Sequence, residues 1–354
     1  VIRDMFVGGA GKQLALTANA LADYGYDIFI YSYYGVELNQ TLDSSIKFIT
    51  PKSLPQNKIT EYVGAILNIR KQIKGIQPDI LISWRCNAGC FSKLASLGLN
   101  VKTIFSERTD PYTETSFILK ISAFICNFSD GGVFQTEAAR QYYKRLLGRS
   151  VVIPNPINLD TKKISLVPFE KRKNEIVHVA RMQISQKRQD VMLNAFKIFL
   201  GHHPDYILSF YGDGVDFTKV KNMAQDLGIA DFVKLHGVVS NVIEKIGEAK
   251  LLVLTSDYEG IPNVILEAFA ANIPVVSTDC SPGGARVLID DGVSGFIAPV
   301  GDAEMIACKM GKIVDDEKLA EKFITNGKTK LKEFAPEVIF QQWNEYLINM
   351  KKKN

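Results

Sequence analysis

Leu251-Leu252-Val253-Leu254-Thr255-Ser256-Asp257-Tyr258-Glu259-Gly260-Ile261-Pro262-Asn263-Val264-Ile265-Leu266-Glu267-Ala268 changes its hydrophobic period halfway along. Residues 251–255 form a continuous apolar run of strand length, the pattern of a strand covered on both faces. A polar loop carries Glu259, and from Pro262 onward the apolar positions take helical spacing. Proline suits the first residue of a helix, where its missing N–H is not needed. The whole stretch therefore reads as one βα unit. The free amides that open its helix face the strand ends and make a seat for phosphate, with the helix dipole behind them.

Outward from this unit the same alternation repeats. Upstream, strands are expected near Glu175–Ala180, Tyr206–Tyr211 and Phe232–Leu235; downstream, near Val275–Ser277 and Phe296–Ala298. In the first half, strands are expected near Asp27–Tyr33, Ile80–Ser83, Lys102–Phe105 and Gly132–Phe134. Helices there are expected near Lys12–Tyr24, Lys58–Ile73, Asn87–Leu97 and Thr136–Leu147. Parallel sheets covered by helices are the economical arrangement. Ile153-Pro154-Asn155-Pro156-Ile157-Asn158 can be neither helix nor strand, and with the polar stretch to Pro168 it marks a hinge. Two α/β domains follow, residues 1–155 and 156–335. The helical pattern of residues 336–350 comes after the second sheet is complete and is expected to cross back to the first domain. The 354 residues suit two such domains at roughly 150 residues each.

Composition sets limits. Hydrophobic residues make up 46% and charged residues 23%, the balance of an ordinary globular chain. No apolar run approaches the roughly 20 residues of a membrane span. No charged leader before an apolar run marks export, so a cytoplasmic location is expected. The chain opens on Val1-Ile2 directly before a glycine turn, and the start of a first strand is expected ahead of this numbering. Five cysteines without a C-x-x-C pair fit reduced thiols rather than a disulfide framework or a zinc site. Residues 1–155 hold 17 Lys and Arg against 12 Asp and Glu, while residues 156–354 hold 25 against 26. That excess is too small and too dispersed for a nucleic-acid binder.

Four side chains carry most of the chemical signal. Glu259 lies before the helix and Glu267 on it, so one can face a sugar and the other a ribose. The plain structural alternative makes Glu259 a helix cap and Glu267 a solvated helical residue. Arg181 follows the first strand of the second domain, and Ser185-Gln186-Lys187-Arg188-Gln189-Asp190 opens the next helix. Arg181 and Lys187 would thus meet at the carboxyl edge of the sheet, where two fixed cations can neutralise a diphosphate leaving group. The alternative is a surface ion pair for Arg181 and a helix start for Lys187, where a cation is disfavoured.

With these residues in view, the chain resembles the retaining glycosyltransferases of the large family 4, whose GT-B fold sets two Rossmann-like doubly wound domains facing each other. The resemblance covers nearly the whole chain. It rests on Gly8-Gly9, Pro154-Asn155-Pro156, Arg181 with Lys187, Gly212-Asp213-Gly214, Glu259 through Glu267, and Thr278-Asp279-Cys280-Ser281-Pro282-Gly283-Gly284. It implies that Arg181 and Lys187 hold the donor diphosphate and Glu267 the ribose. It assigns the transferring sugar and its phosphate to Glu259 and the Gly260-Ile261-Pro262-Asn263 amides, and places His236-Gly237-Val238 beside the base. His236 has an equal alternative as a buried strand-end histidine. Gly8 and Gly9 would let the first loop approach donor or acceptor closely; otherwise they are a turn.

One departure stands out. Many relatives place a histidine at the end of a first-domain strand, but His178, His202, His203 and His236 all lie in the second domain. Phe105-Ser106-Glu107-Arg108-Thr109-Asp110-Pro111 occupies the expected place. Glu107, Arg108 or Asp110 would then touch sugar or acceptor, or else form a turn held by an internal pair. No D-x-D sequence is present, so no metal and no cofactor beyond the nucleotide-sugar substrate is expected. The resemblance implies a UDP-sugar donor and a glycan or lipid-linked glycan acceptor. A nucleotide-sugar epimerase would need a general acid and base, which the histidine-free first domain disfavours. A non-catalytic carbohydrate-binding relic is the third possibility, opposed by the intact Arg181, Lys187, Glu259 and Glu267. Lys58, Arg70, Lys71 and Lys74 accompany Ile59, Val63, Ile66 and Ile73, while Phe117, Ile118, Leu119, Ile121 and Phe124 surround Lys120. Such stripes either pack into the core or dock the protein peripherally on an anionic membrane face.

Overall fold

The computed structural model describes residues 1–5, 9–35, 38, 40–51, 57–113, 116–157 and 167–352. Val1–Pro156 with Pro336–Asn354 forms one unit, and Ile157–Ala335 the other. Gly8 and Asn158 lie outside the described residues, as does most of the polar stretch up to Pro168.

The first unit runs α1 (Gly9–Asp23), β1 (Phe29–Tyr31), β2 (Lys47–Ile49), α2 (Lys58–Ile76), β3 (Ile80–Trp84), α3 (Cys86–Ser96), β4 (Lys102–Ser106), α4 (Phe117–Cys126), β5 (Gly131–Phe134), α5 (Glu137–Tyr142) and β6 (Ser150–Val152). Strands β3-β4-β5-β6 pair in parallel in that order, and β1 pairs in parallel with β2. The extended Val1–Ile2 segment lies between the two sheets. Ile2 N donates to the Tyr31 carbonyl at 3.0 Å, and Trp84 N to the Val1 carbonyl at 2.8 Å. Adjacent residues of a strand face opposite sides. Phe105 and Phe134 accordingly enter the core cluster shared with α3, while Ile104 and Val133 join the opposite one.

The second unit runs β7 (Lys173–Val179), α6 (Ile184–Lys187), α7 (Gln189–Leu200), β8 (Ile207–Tyr211), α8 (Phe217–Asp226), β9 (Val233–Leu235), α9 (Val242–Ile246), β10 (Ala249–Leu254), α10 (Asn263–Ala270), β11 (Val275–Thr278), α11 (Gly284–Leu288), β12 (Phe296–Ala298), α12 (Ala303–Asp315) and α13 (Glu317–Leu331). Its six strands are all parallel, in the order β12-β11-β10-β7-β8-β9. Ile176, Leu251 and Val253 serve the core on one face, and Val177, Leu252 and Leu254 the core on the other. Both faces are covered, which is why Ile176-Val177 and Leu251-Leu252-Val253-Leu254 run apolar without alternation.

The last helix, α14 (Pro336–Lys352), belongs to the first unit. Its stripe of Ile339, Trp343, Leu347 and Met350 is buried there, with Trp343 stacked on Trp84 at 5.7 Å. Burying four such side chains contributes roughly 6–12 kcal/mol before the helix's ordering entropy is set against it. Tyr346 Oη fastens the helix by accepting from Gly132 N at 2.9 Å and donating to the Arg149 carbonyl at 2.8 Å.

Three local expectations are corrected. The helix expected over Thr136–Leu147 stops at Tyr142 and passes into a 3-10 segment, Lys144–Arg149. Tyr143 turns inward at the break, its ring 4.9 Å from Phe105 and 5.2 Å from Phe134. The helix expected from Ser185 is two helices, interrupted by Arg188 in the left-handed conformation (φ 51°, ψ 49°). Pro262 stands one residue ahead of α10, at its cap, rather than as its first residue.

Candidate active site

β7 is the first strand of its unit and lies in the middle of the sheet, with β8 and β9 laid to one side and β10, β11 and β12 to the other. The winding reverses between β7 and β10. In open parallel sheets, ligands bind outside the carboxyl ends of the strands at such a point. The segments issuing there carry Arg181 after β7 and Glu259 after β10.

Lys187 and Glu259 are brought together as an ion pair between Nζ and Oε1. Ser256 Oγ donates to the same carboxylate oxygen at 2.7 Å. Lys187 is the last residue of the one-turn α6, not part of a helix start, so the disfavoured-charge argument for it does not hold. The αL residue Arg188 ends that turn and holds the two loops together. Its guanidinium reaches Asp257 at 2.9 Å and Asp190 at 3.0 Å. Gln186 Nε2 also donates to the Tyr258 carbonyl at 3.1 Å, and Asp257 N to the Gln186 carbonyl at 2.9 Å. Sequence reasoning missed this clamp, although Arg188-x-Asp190 was there to be read.

Thr255 and His178 support the pair from below. Thr255 Oγ1 lies 2.8 Å from the Lys187 carbonyl, within reach to donate, and 3.2 Å from His178 Nε2. Burial, followed by the charge of Lys187, pushes the His178 imidazole down to about 3. It is therefore neutral and serves as a fixed strut. Cys280, on the far side, is buried, and its thiol is pushed up to about 12 by burial and then by the Glu259 charge, which makes it unreactive at neutral pH.

Arg181 is exposed, and among the described residues its side chain makes no hydrogen bond or ion pair. Its carbonyl accepts from Gln189 Nε2 at 2.8 Å. The Gly212-Asp213-Gly214 turn lies directly against this segment. A Cβ on Gly212 would stand 2.1 Å from the Ala180 carbonyl oxygen, so glycine is the residue that fits. Likewise a Cβ on Gly284 would stand 1.7 Å from the Gly260 carbonyl oxygen. Gly260, Ile261 and Pro262 lead into α10, whose first amides have no acceptor within the helix. Asn263 Oδ1 is buried without a partner, and Glu267 lies on the helix, half-buried. His236 is exposed, not buried. It stacks on Tyr211 at 4.4 Å and 7°, with Gly237 and the exposed Val238 beside it.

The first-unit candidates prove to be internal. Glu107 is 2% exposed and accepts from Arg108 N, Thr109 N, Thr109 Oγ1 and Tyr143 Oη at 2.9–3.2 Å. Burial raises its carboxyl above the usual range against those bonds and the charge of Arg85. Arg108 does not pair with a carboxylate. It bonds Ser106 Oγ, the Ile153 carbonyl and Asn155 Oδ1, and lies over the Trp84 ring at 4.5 Å. Burial pulls the guanidinium down to about 9, still protonated at neutral pH. Asp110 is 3% exposed and caps a short turn by accepting from Tyr112 N. Glu107 is thus filled by donors of its own turn and core, the internal alternative for this turn, while Arg108 packs on Trp84 with its Nη2 buried and unpartnered. Gly9 begins α1.

Residues 161–330 match the family model described as Glycosyl transferases group 1, and residues 7–161 match the model described as Glycosyltransferase Family 4. An uncharacterized glycosyltransferase of Haemophilus influenzae is 25% identical over 344 residues, 96% of each chain. The Campylobacter jejuni GalNAc-alpha-(1->4)-GalNAc-alpha-(1->3)-diNAcBac-PP-undecaprenol alpha-1,4-N-acetyl-D-galactosaminyltransferase is 24% identical over 362 residues, covering 99% of this chain and 98% of its own. Among solved structures, Anabaena HepE in complex with UDP superposes with a TM-score of 0.78 at 18% identity, over 98% of this chain and 99% of that one. That likeness gives the fold, GT-B.

Proposed function

The chain belongs to the glycosyltransferases of the family 4 type, and on that premise we propose that it moves a sugar from a nucleoside-diphosphate donor, by default a UDP-sugar, to a glycan acceptor with retained anomeric configuration. One observation carries the proposal. Lys187 holds Glu259 just ahead of α10, at the crevice where the winding of the second sheet reverses. The donor diphosphate takes the Lys187 ammonium from Glu259, and the released carboxylate turns to the hydroxyls of the transferring sugar. Arg181 supplies a second cation, the α10 amides seat a phosphate, Glu267 holds the ribose, and His236 with Gly237 and Val238 flanks the base.

In the transfer, the bond from the anomeric carbon to the phosphate oxygen breaks while the acceptor oxygen bonds to that carbon on the same face. The acceptor proton passes to the departing phosphate oxygen, whose growing charge Lys187 and Arg181 neutralise. No protein nucleophile takes part. The UDP in the HepE complex supports a uridine donor, and the PP-undecaprenol in the name of the Campylobacter relative supports a lipid-linked acceptor.

A surface of the first unit fits that acceptor. Phe117, Ile118, Ile121 and Phe124 of α4 are exposed, Phe117 by 76%, rather than packed inward. Lys120 lies among them, and the Arg145 guanidinium covers the neighbouring Phe128 ring at 4.6 Å. An apolar helix face with basic residues matches an anionic lipid surface, where each nearby Lys or Arg contributes about 1 kcal/mol. Peripheral docking there brings a lipid-linked acceptor to the enzyme.

The test of the reaction is a thermal-unfolding screen of nucleotides and nucleotide sugars, because a bound donor raises stability by mass action. UDP and one UDP-sugar are expected to raise Tm, and the anomeric proton of the product to keep the donor's configuration by NMR. An inverted product refutes the mechanism. Sedimentation with anionic but not neutral vesicles, lost in a Phe117→Ser/Phe124→Ser variant and on neutralising Lys71, Lys74 and Lys120 together, tests the docking. Failure to sediment with anionic vesicles at low salt refutes it.

A further inference from the structure

We propose that the cavity at the carboxyl end of β3, lined by Trp84, Arg85, Asn87, Tyr33, Tyr62 and Glu61, is a saccharide subsite that takes one sugar ring of the acceptor. The proposal rests on the glycosyltransferase reading above and names the part of the first unit that meets the acceptor.

The first observation is backbone strain. Arg85 has φ 77° and ψ 160°, a region essentially reserved for glycine. It is clamped there from both sides: its N–H donates to the Ser106 carbonyl at 2.8 Å, and its carbonyl accepts from Gly89 N at 3.0 Å. Glycine would satisfy this turn without cost, so an arginine here has its reason in the side chain. That side chain is exposed at the cavity and makes no hydrogen bond or ion pair among the described residues. Strain of this kind is characteristic of binding and catalytic positions.

The second observation is unmet hydrogen-bonding capacity on two other lining residues. The Trp84 Nε1–H and Asn87 Oδ1 are both buried without a partner, and Trp84 as a whole is only 2% exposed. Buried polar atoms are nearly always paired, so a donor and an acceptor left over on two residues that line the same cavity point to a ligand that supplies both.

Size and chemistry narrow that ligand. The cavity holds about 250 Å³, below the roughly 300–1,000 Å³ of pockets for drug-sized molecules, which limits it to a single ring. Half-buried Tyr62 brings an aromatic ring to the lining, while the Arg3–Glu61 pair at 3.1 Å adds both a donor and an acceptor. A pyranose has an apolar C–H face and hydroxyls that each donate and accept. Inorganic phosphate is an anion with no apolar face, and the Asn87 Oδ1 and Glu61 acceptors would oppose its charge.

The two tryptophans of the chain are Trp84 and Trp343, stacked on each other, so intrinsic fluorescence reports directly on the cavity wall. The wild-type chain is titrated with methyl glycopyranosides of hexoses, N-acetylhexosamines and hexuronates, with inorganic phosphate in a parallel arm. At least one glycoside is expected to change the emission saturably and phosphate not to. Arg85→Gly is expected to raise Tm by relieving the strain yet weaken the glycoside response about tenfold through a lost charged hydrogen bond. Asn87→Leu is expected to weaken it too, and Lys187→Ala to leave it unchanged. No saturable change with any glycoside, an equal response to phosphate, or an Arg85→Gly variant that gains stability and keeps its response each overturns the proposal. If UDP fails to raise Tm, the donor reading fails instead, and the glycoside titration still reads the cavity by itself.

Discussion

Two turns of this protein look alike on paper, Glu107-Arg108-Thr109-Asp110 after β4 and Ser256-Asp257-Tyr258-Glu259 after β10. Each leaves a parallel strand at its carboxyl end, where ligand sites of such sheets lie. The folded chain treats their carboxylates in opposite ways. Glu107 takes three of its four hydrogen bonds from the next two residues and the last from buried Tyr143, so its acceptor capacity is filled by its own turn and core. Glu259 takes one bond from Ser256 within its loop and its charge partner from Lys187 on another βα unit. A carboxylate satisfied locally is a fastener. One satisfied by a mobile-headed lysine across a crevice can exchange that lysine for a ligand.

The largest effect expected of this contrast is on turnover. Lys187→Ala and Arg181→Ala should each lower kcat by roughly 10²–10³-fold, about 2.7–4 kcal/mol of lost stabilisation of the leaving group, with the fold intact by circular dichroism. Near wild-type turnover in either variant would remove the donor site from this crevice. Glu107→Ala should do the reverse. It strands two amides and two hydroxyls in the interior, costing about 3 kcal/mol and lowering Tm by roughly 6–12 °C. Donor-induced thermal protection should survive wherever the variant folds. A Glu107→Ala protein of wild-type Tm that has lost activity would reverse the assignment of fastener and functional carboxylate.

The contrast also explains what the sequence could and could not disclose. The strand ladder of the second unit was legible because β7, β10 and β11 are covered on both faces and carry unbroken apolar stretches, Ile176-Val177, Leu251-Leu252-Val253-Leu254 and Val275-Val276; Phe296–Ala298 was placed to the residue. Three-residue β2 and β6 were missed because each is too short to show a period, and their core-packing residues Phe48, Ile49 and Val151 are only partly buried. Glu259, Lys187 and Arg181 stood out by residue type and spacing. The Arg188 clamp did not, since its effect depends on a left-handed backbone that propensity gives an arginine no reason to adopt. Glu107 misled for the converse reason. Nothing local in the sequence shows that Tyr143, 36 positions away, reaches into its turn.

Acid sharpens the comparison further. His178, beneath Thr255 and Lys187, has a folded-state pKa of about 3 against an ordinary value of 6.5. A base with a depressed folded pKa contributes stability that is present above its unfolded value and is lost as pH falls from there toward the folded one. Below about pH 6.5 the second unit should lose about 1.4 kcal/mol per pH unit through this group, about 2 kcal/mol by pH 5. Denaturant titrations of wild type and His178→Gln at pH 7 and pH 5 check this. An equal loss in both proteins would show that the strut is not the group titrating. Smaller again is the division within the E-x7-E pair. Glu259→Gln should lower kcat more than donor affinity, while Glu267→Gln should weaken nucleotide binding about tenfold with less effect on kcat. The opposite pattern in steady-state kinetics would exchange their roles.

The smallest expected effect is none, and it follows from how the acids of the second turn are matched. Divalent metals in nucleotide-sugar sites are held by carboxylates with charge to spare, and their service is to neutralise the diphosphate as it leaves. In the turn after β10 each acid already has a protein cation. Asp257 is bound by Arg188 at 2.9 Å, and Glu259 by Lys187. In the turn after β4, Glu107 is filled by hydrogen-bond donors. Neither turn leaves a pair of carboxylates for a cation, and Lys187 with the exposed Arg181 can perform the metal's electrostatic part. A saturating chelator should therefore leave the initial rate of sugar transfer unchanged, and added magnesium or manganese should not raise it. If a chelator abolished turnover and manganese restored it, the Lys187–Glu259 pair would have to open to admit the metal. Glu259 would then be a ligand, and the leaving-group role would pass from Lys187 to the ion.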